Sequence, residues 1–333
     1  MKWFPIHSWT RRLAAVASVV SLALPCAAAA QAERFPDRPI TLVVGFSAGG
    51  SNDIVARAIA QPLGRVLGVP VVVENRVGAA GMIGTAHVAK ADPDGYTLMV
   101  ASASPVVVSP HTQARMAYDA KQDFAAISLV GITPEALAMH PKFPARTLAE
   151  LIALAKGREI TLASSGSGGL PHLAIELFKS AAPGTKIVHV PYKGAAPAVA
   201  DTLAGHVDGV VVDLPAVYNH ILGGRLQGIA LANDARSEFL PDLPTSVEQG
   251  LPRFVAVNWI GLLAPAGTPQ PIIDKIHTAL LAVMKQPEVG QTLAQSAVQV
   301  SVSESPAAFQ QFLNDEYDKW GEVVKVSGAK AGD

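Results

Sequence analysis

Short apolar runs alternate with longer segments whose apolar residues recur at helical spacing along most of this chain. The apolar runs predict strands at 40–46, 71–75, 97–102, 126–131, 136–139, 160–164, 186–192, 209–214, 227–232 and 255–264. The amphipathic segments predict helices at 52–67, 81–91, 148–156, 171–180, 196–204, 269–285, 287–296 and 306–326. Thr147 and Glu150 form a predicted capping box for the third of these helices. The alternation indicates an α/β protein with mostly parallel sheets.

Two passages rich in proline and glycine interrupt this pattern, near residues 132–134 and 241–252. We interpret them as crossovers by which the chain leaves a first lobe and later returns to it. Ligands of open parallel sheets sit at the carboxyl ends of the strands. A cleft between two lobes is therefore the place to look for a binding site.

Residues 1–32 have the pattern of a cleaved signal peptide. Lys2, Arg11 and Arg12 precede an apolar stretch at 13–24, and small-residue cleavage sites follow at 28–30 or 30–32. The residues after the arginine pair fit a twin-arginine signal poorly, which favours Sec export. Cys26 follows a proline, which disfavours a lipoprotein. Because Cys26 is the only cysteine, the mature chain would have neither a disulfide nor a cysteine nucleophile. We expect a periplasmic protein.

The charge balance argues against nucleic acid as a partner. The whole chain has a formal net charge of −1. Loss of the three cationic residues of the leader, which has no acidic residue, would change it to about −4. No segment after the leader is apolar enough to predict a membrane span.

A Gly/Ser turn at residues 45–51 joins the first strand to the first helix. Ser51 is the predicted N-cap of that helix. Unpaired backbone N–H groups at a helix N-terminus favour a carboxylate or phosphate, so the turn predicts an anion site. A P-loop NTPase is disfavoured because Ser51 stands where the lysine should be. A plain strand–helix connection is the other interpretation.

A second Gly/Ser turn at 164–169 has the same order of strand, turn and helix. It lacks the G-x-S-x-G order of a nucleophile elbow. His172 and Glu176 stand four residues apart and could ligate a metal, but no third ligand is evident. We favour a cap or a ligand hydrogen bond for His172, a structural role for Glu176, and no metal or other cofactor.

Three further polar residues end predicted strands. Tyr192 could pack against a ligand, and Lys193 is interpreted as a solvated surface lysine slightly in preference to a ligand contact. Asp213 is flanked by apolar residues, so its carboxylate needs partners. It could orient a water, a ligand hydroxyl or a ligand amine in the cleft, or equally cap the following helix.

Several segments in order resemble the Bug-type, TctC-like periplasmic substrate-binding proteins of tripartite tricarboxylate transporters. They are the stretches 35–40, 45–57, 71–81, 93–98, 164–172, 189–197 and 259–269, which together span nearly the whole mature chain. The resemblance implies a two-lobed clamshell of the type II periplasmic-binding-protein fold. With the crossovers above, it predicts lobe 1 at 33–133 and 241–333, and an inserted lobe 2 at 134–240.

The resemblance also implies where the ligand binds. Members hold a small carboxylate between backbone amides of the two Gly/Ser turns, and deliver it to membrane permease subunits. The candidate ligand-binding residues of this chain, including those proposed above, are Phe46, Ser47, Ala48, Gly49, Gly50, Ser51, Ser102, Ser104, Ser165, Gly168, His172, Tyr192 and Asp213. Asp53 and Arg57 match the family motif and are expected to steady the first helix. We expect a monomer.

The chain departs from the family pattern at a few positions. Ser47 and Ala48 stand where many members have prolines, and Val77 replaces a usual proline. Ala80 stands where a glycine is common. The change in the first turn could reshape the pocket.

A receptor without enzymatic activity is therefore the leading hypothesis. The alternatives are a ligand sensor that presents its closed form to a membrane signalling protein, and an exported hydrolase using Ser165 or Ser167 with His172 and Asp213. The hydrolase is disfavoured because the order Ser, His, Asp matches no standard triad arrangement.

Overall fold

The computed structural model describes residues 35–331, so the predicted signal peptide lies outside the described residues. The strands are β1 (Ile40–Val44), β2 (Val71–Asn75), β3 (Thr97–Ser102), β4 (Phe124–Met139), β5 (Ile160–Ser164), β6 (Ile187–Pro191), β7 (Gly209–Asp213), β8 (Gln227–Leu231), β9 (Val257–Pro265) and β10 (Gln299–Val300). The α-helices are α1 (Ser51–Leu67), α2 (Met82–Ala89), α3 (Ser109–Thr112), α4 (Leu148–Gly157), α5 (Leu170–Ala181), α6 (Ala195–Ala204), α7 (Leu214–Leu222), α8 (Gln270–Met284), α9 (Pro287–Gln295) and α10 (Pro306–Ser327). A 3₁₀ turn (Ala79–Gly81) precedes α2, and a π-helical turn (Ser104–Val108) precedes α3.

The strands form one continuous, mixed sheet in the order β2-β1-β3-β9-β4-β7-β5-β6, and β8 and β10 also pair with β4. Pairing is parallel at both ends of the sheet, as the alternation of strands and helices predicts. It is antiparallel in the middle, where β4 meets β9 and β7. The reason is that β4 leads the chain out of the first lobe while β9 leads it back, so the two strands run in opposite directions.

The prediction of two strands at 126–131 and 136–139 is wrong, because β4 is continuous through Pro134. The first part of β4 pairs with β9 as far as Pro134 opposite Val257, and the next residue, Glu135, pairs with Asp213 of β7. Proline lacks a donor for the ladder, but here it lies where β4 exchanges one neighbour for another. A proline that predicted a break instead marks the passage between the lobes.

Each lobe has its own layer of apolar packing. In the first lobe, α1 and α8 cover the β1–β3 side with Ile59, Leu63 and Leu280, which are fully buried. In the second lobe, α6 and α7 cover β7 with Val199 and Val217, which are buried. The predicted two-lobed α/β fold is confirmed. The residue boundaries 133/134 and 240/241 stay a prediction.

Two local features of the helices bear on the predictions. The capping box is present at α4, where the backbone N–H of Glu150 donates to Thr147 Oγ1 at 3.2 Å. Glu150 Oε2 accepts from the backbone N–H of Arg146 at 2.6 Å.

Within residues 35–331, every helix is too short or too polar to cross a bilayer.

Candidate functional site

The first Gly/Ser turn ends at a helix whose first amides are free. Helix α1 begins at Ser51, and its N-cap is Gly50, in an extended conformation without a side-chain cap. The prediction of Ser51 as the N-cap is therefore wrong, since its hydroxyl donates to Asp213 instead. The first backbone bond of the helix runs from the N–H of Ile54 to Gly50 O at 2.9 Å. No hydrogen bond among the described residues uses the backbone N–H groups of residues 51–53, and these are the donors that an anion would take.

Asp53 holds the shape of this turn. Its carboxylate accepts from the backbone N–H of Gly49 at 3.0 Å, from Arg57 Nε at 2.9 Å and from Asn75 Nδ2 at 3.0 Å. Burial opposes ionisation, but the bonds from Arg57, Gly49 and Asn75 outweigh it and lower the pKa of Asp53. Asn75 also donates to Phe46 O at 3.0 Å, which ties the turn to β2. Asp53 and Arg57 form the predicted pair.

The second turn is held from both lobes. The backbone N–H of Leu170, at the start of α5, donates to Ser104 Oγ of the first lobe at 3.0 Å. The N–H of Gly168 donates to His172 Nδ1 at 3.0 Å. The His172 ring stacks on His189 with centroids 4.1 Å apart, and His189 Nε2 lies 2.6 Å from Ser164 Oγ. His172 thus acts as a cap within its own turn.

The two lobes meet closely around these turns. A Cβ atom built on Gly169 would lie 3.0 Å from Ala80 Cβ and 3.0 Å from Ser104 Oγ, both of the first lobe. A Cβ on Gly194 would lie against Ser47 of the first turn. Glycine at these positions allows the backbones to approach, so the structure is that of a closed cleft.

A small cavity of about 20 Å³ lies between the turns. It is lined by Phe46, Gly50, Ser51, Asn52, Ser102, Ser104, Ser165, Ala195, Asp213 and Asn258. The lining comes from both lobes and is mostly polar side chains and backbone. Among the described residues that line it, Asp213 is the only charged one, and none is a lysine, arginine or histidine.

Asp213 connects the lobes at this cavity. Its Oδ2 accepts from the hydroxyl of Ser51 and from Asn258 Nδ2, the latter at 3.1 Å. Asn258 is held in turn by the backbone N–H of Ala103, which donates to its Oδ1 at 3.0 Å. Although Asp213 stands at the N-cap of α7, its side chain makes no cap bond. The prediction that Asp213 caps α7 is wrong; the structure places Asp213 in the lining of the cleft cavity, and its contact with a ligand stays a prediction.

Comparison of the sequence with models of known protein families identifies the family of this chain. The family model described as tripartite tricarboxylate transporter family receptor, TctC, matches residues 55–329. This chain belongs to the TctC family. The resemblance drawn from the motifs is confirmed, and with it the assignment to the Bug-type solute-binding proteins of the periplasm.

Relatives of this TctC-family protein match over nearly their whole length. BugT of Bordetella pertussis is 38% identical over 322 residues, which is 96% of this chain and 98% of BugT. The structure of the R. palustris protein Rpa4515 with adipate has a TM-score of 0.85 and 31% identity, covering 89% of this chain and 99% of that one. The structure of MatC from Rhodopseudomonas palustris with bound malate has a TM-score of 0.83 and 30% identity, covering 87% of this chain and 100% of that one.

Some predicted ligand-binding residues of this TctC-family chain lie outside the cavity lining. They are Ser47, Ala48, Gly49, Gly168, His172 and Tyr192. Ala48 and Gly49 are exposed, and Tyr192 donates its hydroxyl proton to Asp201 at 2.7 Å. Burial and the Asp201 carboxylate raise the pKa of Tyr192 to about 12. Lys193 is exposed. Whether these residues contact a ligand stays a prediction.

The geometry does not assemble a hydrolase triad or a metal centre in the described residues. His172 Nδ1 is taken by Gly168, and the Asp213 carboxylate is bonded to Ser51 and Asn258. Glu176 lies 3.8 Å from His172 Nε2 and binds Lys179 at 2.8 Å. No group of three metal-ligating side chains occurs within residues 35–331.

Sequence reasoning missed three polar residues of this site. Asn52 and Asn258 line the cavity, and Glu135 lies directly behind Asp213. Asn258 and Glu135 share a signal that could have found them: each is a lone amide or carboxyl side chain within an apolar strand. Buried polar side chains need partners, so such interruptions indicate a polar site.

Proposed function

We propose that this protein is a periplasmic receptor that binds a small organic carboxylate in the cleft between its lobes. It delivers that ligand to the membrane permease subunits of a tripartite tricarboxylate-type transporter, and it acts as a carrier rather than as an enzyme. The observation that carries the proposal is the set of free N–H groups at residues 51–53, of which Ser51 and Asn52 line the cavity between the two lobes.

The chemistry of the cavity supports a carboxylate. Backbone amides at the start of α1 supply donors and the positive end of the helix dipole. Ser102 and Ser165 also line the cavity, and their hydroxyls can donate to a second part of the ligand. The relatives crystallised with adipate and malate bind molecules of this class.

The position of the cavity supports a closing receptor. Its lining belongs to both lobes, and the lobes also touch directly through Ser104 and Leu170. A ligand held by both lobes binds the closed state more tightly than the open one and shifts the population toward it. A permease can distinguish the loaded receptor by this closed form.

Thermal melting of the purified mature protein, stripped of ligand by unfolding and refolding, tests the proposal. The panel comprises aliphatic and aromatic mono-, di- and tricarboxylates. A ligand that binds only the folded state increases the free energy of unfolding and so raises the melting temperature. At a ligand concentration of one hundred times the Kd, the increase in unfolding free energy is about 2.7 kcal/mol. The matching amides and alcohols, which lack the carboxylate, serve as controls and should leave the melting temperature unchanged.

The delivery step has its own test. Deleting the gene should abolish uptake of the identified carboxylate by the host cell, and the wild-type gene should restore it. No thermal shift with any carboxylate would overturn the binding proposal. A shift without any effect of the deletion on uptake would overturn the delivery step and leave the binding step in place.

A further inference from the structure

A short helix of the first lobe, α3, holds the second Gly/Ser turn from outside the cavity. Its Thr112 hydroxyl donates to the backbone carbonyl oxygen of Gly168 at 2.6 Å, and its Ser109 hydroxyl donates to the same oxygen at 3.2 Å. The two side chains are three residues apart, which places them on one face of the helix. Gln113 Nε2 donates to Ser167 O at 3.4 Å. We call Ser109, Thr112 and Gln113 the clasp.

The clasp is separate from the site of the ligand. None of its three residues is among the described residues that line the cavity. Ser109 and Thr112 are 0% and 5% exposed, so water does not compete for these hydrogen bonds while the lobes are together. A buried carbonyl oxygen that loses its donor raises the free energy of the state that buries it. The clasp therefore stabilises the closed arrangement without contacting the ligand.

The clasp is anchored within the first lobe. His111, in the same helix, has its Nε2 2.9 Å from Tyr317 O of α10, and the two rings pack edge to face with centroids 4.3 Å apart. Gly328 ends α10 with a φ of 70°. Shortly after it, the backbone N–H of Ala331 donates to Thr112 O at 3.0 Å. Because these contacts do not involve the second lobe, they hold the donors of the clasp in place when the lobes part.

The hydrogen bonds of the clasp can break and form again at little cost. Thr112 Oγ1 also lies 3.5 Å from Val108 O and 3.4 Å from Ser109 O, which are acceptors in its own stretch of chain. When the lobes separate, the hydroxyl has these acceptors and water, and the carbonyl of Gly168 is solvated. The clasp is thus a reversible contact that favours the closed state.

A ligand in the cavity has to wait for the lobes to separate before it leaves. The serines that line the cavity are enclosed, with exposed fractions of 4% for Ser51, 1% for Ser102 and 8% for Ser165. Opening moves the second turn away from the first lobe, and the clasp joins that turn to the first lobe. Each release event therefore includes the breaking of the clasp.

We propose that Ser109, Thr112 and Gln113 are positioning residues that set the rate at which the closed receptor opens and releases its ligand. The inference rests on the proposed function, and it adds control of the ligand's residence time by side chains outside the binding cavity. Opening also occurs without ligand, so the clasp itself is tested on the ligand-free protein.

Hydrogen–deuterium exchange of the ligand-free mature protein, followed by NMR, measures the opening. The Leu170 N–H donates to Ser104 Oγ of the other lobe, so its exchange reports separation of the lobes. Thr112→Val removes the hydroxyl at nearly constant shape and should speed this exchange at least about threefold. Combined with Ser109→Ala, which removes the second donor, it should speed exchange at least about tenfold. Thr112→Ser keeps the hydroxyl and should restore the wild-type rate.

Thr202→Val is the matched control. Thr202 is fully buried, and its hydroxyl donates to Ala198 O at 2.8 Å within α6, so the same atoms are lost without any contact between the lobes. This variant should leave the exchange of the Leu170 amide unchanged. An equal effect of Thr112→Val and Thr202→Val on that amide, or no effect of Thr112→Val, would overturn the clasp.

Stopped-flow measurements with succinate, malate, adipate and benzoate test the release step. For each acid that binds, Thr112→Val should raise the dissociation rate constant at least about threefold and change the association rate constant by less than about twofold. Faster exchange at Leu170 without faster dissociation would overturn the control of residence time. If no carboxylate binds, the proposed function falls and the control of residence time falls with it, whereas the exchange data still decide whether the clasp holds the lobes together.

Discussion

Single buried side chains of this protein have ionisation states set by their surroundings. Glu135 has no exposed surface and faces the like charge of Asp213, so it retains a proton in the folded state. His189 is partly buried against His172, and it remains neutral because even partial burial disfavours its charged form. These two residues change the pH dependence of folding stability in opposite directions.

We expect Glu135→Gln to stabilise the protein increasingly as the pH rises. The folded-state pKa of Glu135 is raised, so the folded protein keeps a proton that the unfolded chain releases above about pH 4.5. The resulting loss of stability grows with pH until the folded pKa is reached, by about 1.4 kcal/mol per unit of pKa difference. Thermal melts from pH 4 to pH 8 should show the gain of the variant over wild type increasing. The exposed Glu322→Gln is the control; a gain of equal size at every pH would contradict the prediction.

We expect the His189 ring to stay neutral from pH 8 to pH 5. Burial first, and then the electrostatic interactions with His172 and Lys179, lower its pKa to about 3. Below about pH 6.5, His189 binds a proton in the unfolded chain but not in the folded protein. The contribution of the neutral ring to the free energy of unfolding is therefore fully present above pH 6.5 and is lost as the pH falls toward 3. NMR shifts of the ring protons, assigned with His189→Gln, should be constant across this range. A titration midpoint between pH 5 and 8 would contradict the lowered pKa of His189.

At the scale of elements, the turn between β2 and α2 adopts an unfavourable conformation for its residues. Ala79 and Ala80 have φ of 49° and 51°, in the left-handed region. That conformation costs roughly 1–2 kcal/mol for a residue with a Cβ. The turn is nevertheless retained, and its Ala80 side chain packs against Gly166 and Gly169 of the second lobe. The observation also explains why a glycine at position 80 would suit this turn.

Ala80→Gly should therefore raise the free energy of unfolding by about 0.5 kcal/mol. Relief of the left-handed strain exceeds the greater chain entropy that glycine adds to the unfolded state. Ala86→Gly, in the middle of α2, is the matched control and should lower stability by about 1 kcal/mol. Urea unfolding of both variants measures the difference. Destabilisation of similar size in the two would mean that Ala80 is not strained.

At the scale of the whole molecule, closure depends on the fit of one lobe against the other. Ser51 with Asp213, and Ser104 with Leu170, are hydrogen bonds between the lobes. Gly169 lies between these contacts, with an ordinary backbone φ of −94°. An alanine there is acceptable to the backbone, and the three atoms nearest to its added methyl group belong to Ala80 and Ser104 of the other lobe. This site allows closure to be changed separately from folding.

Gly169→Ala should weaken carboxylate binding by about tenfold or more while changing the unfolding free energy of the ligand-free protein little. Overpacking of a tight contact costs roughly 1–3 kcal/mol, and an open cleft avoids that contact. Calorimetry gives the affinity, and small-angle X-ray scattering should show a larger radius of gyration for the variant with ligand. Gly290→Ala, with no atom near its added Cβ, is the control. Unchanged affinity would indicate that the lobes do not need this approach to bind ligand.

The local sequence pattern predicts most of the secondary-structure elements and the two Gly/Ser turns of the site. Apolar periodicity and turn residues are properties of neighbouring positions, so they predict the helices, most strands and the Thr147 capping box. The two Gly/Ser turns are also predictable as ligand sites, because glycine and serine before a helix leave backbone amides free for a ligand. Pattern failed at Pro134, where the strand pairs on both sides of the proline with different partners.

The remaining part of the site depended on residues brought together from distant positions in the chain. The neighbouring residues predict Ser51 as a helix cap, but its hydroxyl donates to Asp213, 162 residues later in the chain. Glu135, Asn258 and Asp213 come from three different strands, and only their pairing in the sheet makes them adjacent. The sequence by itself determined the α/β elements, the export signal as an expectation, and the family. The tertiary structure alone decided which polar groups share the cavity, because hydrogen bonding and charge repulsion act over distances in space rather than along the chain.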